Sequence, residues 1–164
     1  MDIKEYVTDS NIFYMGIPFQ SDSSFKYYIT PDILGEICHI KKTIDGLNLL
    51  LSLKKVMIVD PSSENIRYVS NKIKLLGQFG LSKPDCSIIA LSFQLNIPIM
   101  STDFTVINTA KILSLNTLIP GKINFEVKKN KKYCSICKKY FDIKYLYCNC
   151  CGNKLIFKVL KDAK

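Results

Sequence analysis

Apolar residues change their spacing repeatedly along the first 120 positions, and the changes mark out alternating strands and helices. The segment Tyr6, Val7, Thr8 predicts a short strand. Thr30 followed by Pro31 has the form of an N-cap with proline at the first helical position. A second helix is expected over residues 46–54. Residues 56–59 are uninterruptedly apolar and closed by Asp60 and Pro61, which predicts a buried strand. Ser62 or Ser63 then caps a long helix ending near Gly77 to Gly80. Ser82 caps another that begins at Pro84, on which Ile88, Ile89, Leu91 and Leu95 recur at helical spacing. A strand at residues 98–100, a helix at 104–113 and a strand near Leu118 complete the series. Strands that alternate with helices imply an α/β fold with a parallel sheet flanked by helices.

Composition supports this reading and adds a second part. The chain has 164 residues, 48% of them hydrophobic, enough for one ordinary domain with its own core and a small appendage. The longest apolar run, residues 47–53, is broken by Asn48 and Ser52 and is far too short for a membrane span. The N-terminus MDIKEYVTDS does not resemble a secretion signal, so a soluble, cytoplasmic protein with no membrane partner is expected. The net charge of +9 is unevenly placed: residues 1–120 carry eleven basic and eleven acidic side chains, whereas residues 121–164 carry twelve lysines and three acids. Tyr133, Tyr140, Phe141, Tyr145 and Tyr147 lie among those lysines, a combination that suits RNA, with phosphates to neutralise and bases to stack.

Five of the seven cysteines fall within YCSICKKYFDIKYLYCNCCGNK, residues 133–154. In a reducing compartment such a cluster binds metal rather than forming disulfides. Cys134 and Cys137 make one Cys-x-x-Cys turn; Cys148 and Cys151, followed by Gly152, make the other. This spacing predicts a structural zinc ribbon over residues 133–164 with Cys150 as the spare thiol. Residues 121–132, GKINFEVKKNKK, read as a basic linker, with INFEV as a possible strand of the ribbon. Residues 1–120 then form the first domain. Cys38 and Cys86 read as small buried residues.

In an open parallel sheet the functional crevice lies beyond the carboxyl ends of the strands. Asp9 directly follows the first predicted strand, and Asp103 follows the strand at 98–100. Asp85 falls in the first turn of its helix, and Glu36 stands among Ile33, Leu34 and Ile37. Each acid alone has an ordinary explanation as a turn residue, a cap, a dipole partner or a solvated position. Together in one crevice they would repel unless a divalent cation lay between them, and hard oxygen ligands favour Mg²⁺ or Mn²⁺. The lone His39, three residues beyond Glu36, is not expected to act as a base.

At VTDSNIF, TPDILGEI, LSKPDCSIIALSFQL and STDFTVINTA the chain resembles the PIN-domain ribonucleases, in which an Asp follows the first strand and a helical Glu and two further Asp complete the site. Ser10 and Asn11 occupy the small polar positions after the first acid, and Asn108 lies downstream of the last. A PIN domain followed by a zinc ribbon resembles the NIN-one-binding family of endonucleases over nearly the whole chain. Members of that family often carry Thr-Asp-Asp-Tyr where this chain has Ser101, Thr102, Asp103 and Phe104, so the first of the adjacent acids is absent. The resemblance implies metal-assisted cleavage of precursor ribosomal RNA within the pre-ribosomal small subunit, forming the 3′ end of the small-subunit rRNA. It implies Asp9, Asp85 and Asp103 as metal ligands and Glu36 as a ligand or water-orienting group. A KH-domain assembly factor is an expected partner. The alternatives are a toxin-type PIN ribonuclease acting on tRNA or mRNA, and a non-catalytic RNA-binding assembly factor.

Overall fold

A computed structural model describes residues 4–40, 46–77, 80–121 and 127–161. In chain order the elements are β1 (Lys4–Thr8), α1 (Ser10–Tyr14), α2 (Ile17–Gln20), β2 (Phe25–Ile29), α3 (Pro31–Ile40), α4 (Leu47–Ser52), β3 (Val56–Ile58), α5 (Ser63–Leu75), α6 (Lys83–Leu95), β4 (Ile99–Met100), α7 (Phe104–Ile112), β5 (Thr117–Leu118), β6 (Lys128–Tyr133), β7 (Tyr140–Phe141) and β8 (Ile156–Lys161). No helix among them is long and apolar enough to cross a membrane.

The first five strands form one parallel sheet in the order β3-β2-β1-β4-β5. Its core is aliphatic, with Val7, Ile29, Ile33, Ile37, Ile88, Leu91, Ile99 and Val106 essentially removed from water. Local chemistry sets the helix starts. Ser62 accepts the Asn65 N–H, and Ser82 and Asp85 form a reciprocal capping box that opens α6. Thr30 Oγ1 accepts the Ile33 N–H at 3.3 Å and lies 2.7 Å from Ser87 Oγ, joining the starts of α3 and α6 through two buried hydroxyls.

Three elements of residues 1–120 are absent from the sequence reading. Helices α1 and α2 are only five and four residues long, too short for a periodicity to register. Strand β2 lies beside β1 near the centre of the sheet, with Tyr27 and Ile29 fully buried. Its alternation is carried by aromatic rings, with Phe25 stacked on Tyr27 at 6.4 Å and on Tyr6 at 6.2 Å.

Strands β7, β6 and β8 form a second, antiparallel sheet with β6 in the middle. It begins at Lys128, within the stretch read as linker, so residues 128–132 are sheet. The run KKNKK has no apolar alternation to announce a strand; continuous pairing with β8 makes it one. The INFEV strand reading falls at residues 123–127, all but Val127 outside the described residues. Cys38 is exposed and Cys86 partly buried, so the reading of both as buried core thiols holds for neither fully.

Candidate active site and cysteine cluster

The order β3-β2-β1-β4-β5 reverses direction between β1 and β4, which opens a crevice at the carboxyl ends of those two strands. Thr8 and Met100 are paired across the switch, so the next residues, Asp9 and Ser101, leave the sheet side by side. Asp9 is the N-cap of α1 and is 4% exposed. Its Oδ1 accepts the Ile12 N–H at 3.1 Å, and its Oδ2 accepts the Ser101 hydroxyl. The Ser101 Oγ in turn accepts the Asp103 N–H at 2.9 Å. One buried hydroxyl therefore ties together the two acids that follow β1 and β4.

Asp103 caps α7, accepting the Thr105 and Val106 N–H groups. Asp85 is partly exposed in the first turn of α6, with Oδ2 held by the Ser82 N–H and hydroxyl at 2.8 and 2.7 Å. Glu36 reaches the crevice from α3, its Oε2 accepting the Ser10 hydroxyl at 3.0 Å. Tyr14, from the far end of α1, donates to the Glu36 carbonyl at 3.2 Å. Burial pushes the Tyr14 hydroxyl pKa up, and the Glu36 charge adds to the rise.

The Asp9 carboxyl is raised above the ordinary 3.8, chiefly by burial; bonds from Ser101 and Ile12 oppose the rise, and the charges of Asp103 and Asp85 add to it. Asp9 thus feels the charges of Asp103 and Asp85, and Glu36 is tied to the residue after Asp9, but among the described residues the four carboxylates do not converge as the cysteine sulfurs do. A buried carboxylate strained by two further acids suits a divalent cation, whose charge would reverse the balance. Sequence reasoning did not foresee the roles of Ser101 and Tyr14 here. His39 is exposed on α3.

At the other end of the chain, the sulfurs of Cys134, Cys137, Cys148 and Cys151 all lie within 4.8 Å of one another, and Cys150 stays outside the group and exposed. Both pairs sit on the same kind of turn. Cys134 N–H donates to the Lys139 carbonyl and Lys138 N–H to that of Cys134; Cys148 N–H donates to Asn153 and Gly152 N–H to Cys148. The equivalent positions Lys138 and Gly152 both have positive φ, 57° and 70°, so a lysine occupies a left-handed position where glycine would be unstrained. Amides of Cys137 and Cys150 point at the sulfurs of Cys134 and Cys148. Burial raises the Cys148 thiol, but the Cys150 and Cys151 amides and the neighbouring thiols outweigh it and bring the pKa to about 7. The donor set and its convergence fit a tetrahedral metal.

The family described as the PIN domain of ribonuclease matches residues 6–95, the segment that holds Asp9, Glu36 and Asp85. Two relatives carry the name Endoribonuclease Nob1. That of Methanocaldococcus jannaschii is 33% identical over 142 residues, 83% of this chain and 68% of its own length. That of Pyrococcus abyssi is 33% identical over 134 residues, 80% of this chain and 76% of its own. The chain belongs to the Nob1 endoribonuclease family. Both alignments take in more of the chain than residues 1–120 could supply, so the Nob1 likeness extends beyond that part. A ribonuclease VapC1 of Thermoplasma acidophilum is 26% identical over 63% of this chain and 54% of its own. The Rickettsia felis VapBC2 structure, bound to a promoter DNA fragment, superposes with a TM-score of 0.51 at 16% identity, covering 70% of this chain and 98% of that one, which shows a shared fold. Like the other Nob1 proteins, this one is an endoribonuclease built on a PIN domain.

Proposed function

We propose that this endoribonuclease hydrolyses precursor ribosomal RNA within the pre-ribosomal small subunit to form the 3′ end of the small-subunit rRNA, using Asp9, Glu36, Asp85 and Asp103. The observation that carries the catalytic part is the β1/β4 crevice, where buried Asp9 is fixed by Ser101 and Ile12 and faces the charges of Asp85 and Asp103. Asp9, Asp85 and Asp103 would hold Mg²⁺ or Mn²⁺, which when bound lowers the pKa of a water and neutralises phosphate charge. Ser101 keeps Asp9 oriented and ionisable. Ser10 fixes Glu36 Oε2, leaving the other oxygen to accept a hydrogen bond from the attacking water. With a metal-activated water as nucleophile no 2′-hydroxyl attack is needed, and hydrolysis leaves 5′-phosphate and 3′-hydroxyl ends.

Cys134, Cys137, Cys148 and Cys151 would hold Zn²⁺ as a structural ion, and the ribbon would carry RNA affinity. Tyr133, Tyr140, Ile156 and Lys158 share one face of the second sheet by register. The two tyrosine rings lie 5.0 Å apart, and Lys158 Nζ stands 4.3 Å from one and 5.5 Å from the other. Aromatic faces beside lysines suit unpaired bases and their phosphates. The organisation we favour is nuclease at residues 1–120 and a ribbon holding the cysteines at 133–164, the stretch 121–132 between them contributing the start of β6 from Lys128, with a KH-domain assembly factor as the companion on the pre-ribosome. The Nob1 likeness, which covers most of the chain and more than residues 1–120, favours this substrate over a toxin-type target. The test is Asp9→Asn and Asp103→Asn on precursor small-subunit RNA with Mn²⁺: cleavage should vanish and RNA affinity stay near wild type. Wild-type cutting by Asp9→Asn would refute the four-acid site.

A further inference from the structure

Asn108 lies in the same stretch as Asp103 but has no part in the acid crevice. It stands five residues further along α7, about 7.5 Å by helical rise, and is 8% exposed. Its Nδ2 donates to the Lys128 carbonyl at 2.9 Å, and its Oδ1 accepts the Lys128 N–H at 2.7 Å. The side-chain amide therefore satisfies both main-chain groups of Lys128 as a neighbouring strand would. On that side β7 reaches only Lys132 and Tyr133, so the start of β6 is left open there and Asn108 fills the place. Two residues on, Asn130 Nδ2 donates to the Gly77 carbonyl at 2.7 Å, just past α5. Ile143 packs so closely on Gly77 that a Cβ there would meet its side chain at 3.0 Å. The ribbon sheet is thus fastened to α5 and α7 by two asparagine amides, beside an apolar cavity of about 370 Å³ lined by Leu75, Leu76, Ile112 and Ile143.

We infer that Asn108 is a specificity-determining positioning residue: it pins the first ribbon strand to the helix that Asp103 caps, fixes the span from the ribbon's RNA face to the acid crevice, and so selects which phosphodiester is cut. The inference rests on the proposed reading of the ribbon as the RNA-holding part. Asn130 is the second fastening. Neither residue touches the reacting atoms, so their loss changes where the bound RNA meets the acids and leaves the acids themselves intact. A misplacement of about an ångström is enough to cost a large factor at the chosen bond.

The experiment uses the full zinc-loaded chain, precursor small-subunit RNA and a short unstructured oligoribonucleotide, each with Mn²⁺. In Asn108→Ala, zinc content and cutting of the short RNA should match wild type. Cutting of the precursor at the native bond should fall about tenfold relative to its neighbours, as products spread over adjacent positions. Nitrogen-15 relaxation should show one tumbling time for both sheets in wild type and two in the variant. Asn130→Ala, which removes only the Gly77 bond, should act in the same direction and decides the matter alone if Asn108→Ala fails to fold. A single native cut kept at wild-type precision by the folded variants overturns the inference and leaves the substrate reading standing. Wild-type protein that cuts the precursor at no preferred bond overturns the substrate reading, and the inference with it.

Discussion

Ser101 holds Asp9 and Asp103 through one buried oxygen, so Ser101→Ala should be costly, and more costly when Asp9 is ionised. In the folded protein the Ser101 hydroxyl donates to a carboxylate with 4% exposure and accepts the Asp103 N–H. A hydrogen bond to a charged group contributes about 1.5–3 kcal/mol, and a neutral one about 1 kcal/mol. At neutral pH the alanine variant loses a charge-assisted bond and leaves the Asp103 amide with a poorer partner, for a total of about 2–4 kcal/mol. For a chain of this length that corresponds to a fall in Tm of roughly 5–15 °C. At pH values low enough to protonate Asp9 in both states, the bond is neutral and the loss should shrink by about 1 kcal/mol or more.

The direction of the pH effect follows from the raised Asp9 carboxyl. Because the folded pKa lies above the unfolded value of 3.8, the Asp9 contribution to stability is fully present below 3.8 and is lost as pH rises through the folded value. Ser101 lowers that folded value, so its removal widens the window and enlarges the loss on the alkaline side. Thermal melts of the metal-free wild type and variant at acid and neutral pH measure the difference, and Mn²⁺-dependent cleavage should fall in parallel. An equal loss of stability at both pH values would show that Ser101 does not hold the ionised carboxylate, and the reasoning would fail.

Two further outcomes are expected. Cys151→Ser should abolish stoichiometric zinc while Cys150→Ser retains one zinc per chain, because only the former belongs to the converging sulfurs; metal analysis with the reverse ranking would place the wrong thiol at the site. Thr30→Val keeps the shape but removes both the cap on the Ile33 amide and the 2.7 Å contact with Ser87, and should cost about 1–2 kcal/mol in urea unfolding; a near-zero change would mean the buried hydroxyl pair does not secure α3 to α6.

What the sequence disclosed is what local chemistry decides. Ser82 can be read as a cap because its partner Asp85 is three residues away, and Asp9 and Asp103 stand out because each lies just beyond the end of a strand, Asp9 directly after Thr8 and Asp103 three residues after Met100. Lys138 stands in the first turn where Gly152 stands in the second, and both have positive φ. The cysteine set followed from spacing alone, since Cys148 and Cys150 leave one residue between them and Cys148 and Cys151 leave two.

The parts that escaped reading depend on partners distant in the chain. The Ser101 to Asp9 bond spans 92 positions, and nothing around Ser101 tells it apart from any other serine after a strand. The same limit explains β6. A run of lysines around one asparagine carries no period and reads as linker, yet β8 supplies a strand on one side and Asn108 supplies an amide on the other. Its identity as a strand is a tertiary property, decided by groups 20 and more residues away. That dependence also bears on function. Because Asn108 completes the start of the strand from the nuclease side, the contact that closes the open edge of β6 also ties it to the helix that Asp103 caps.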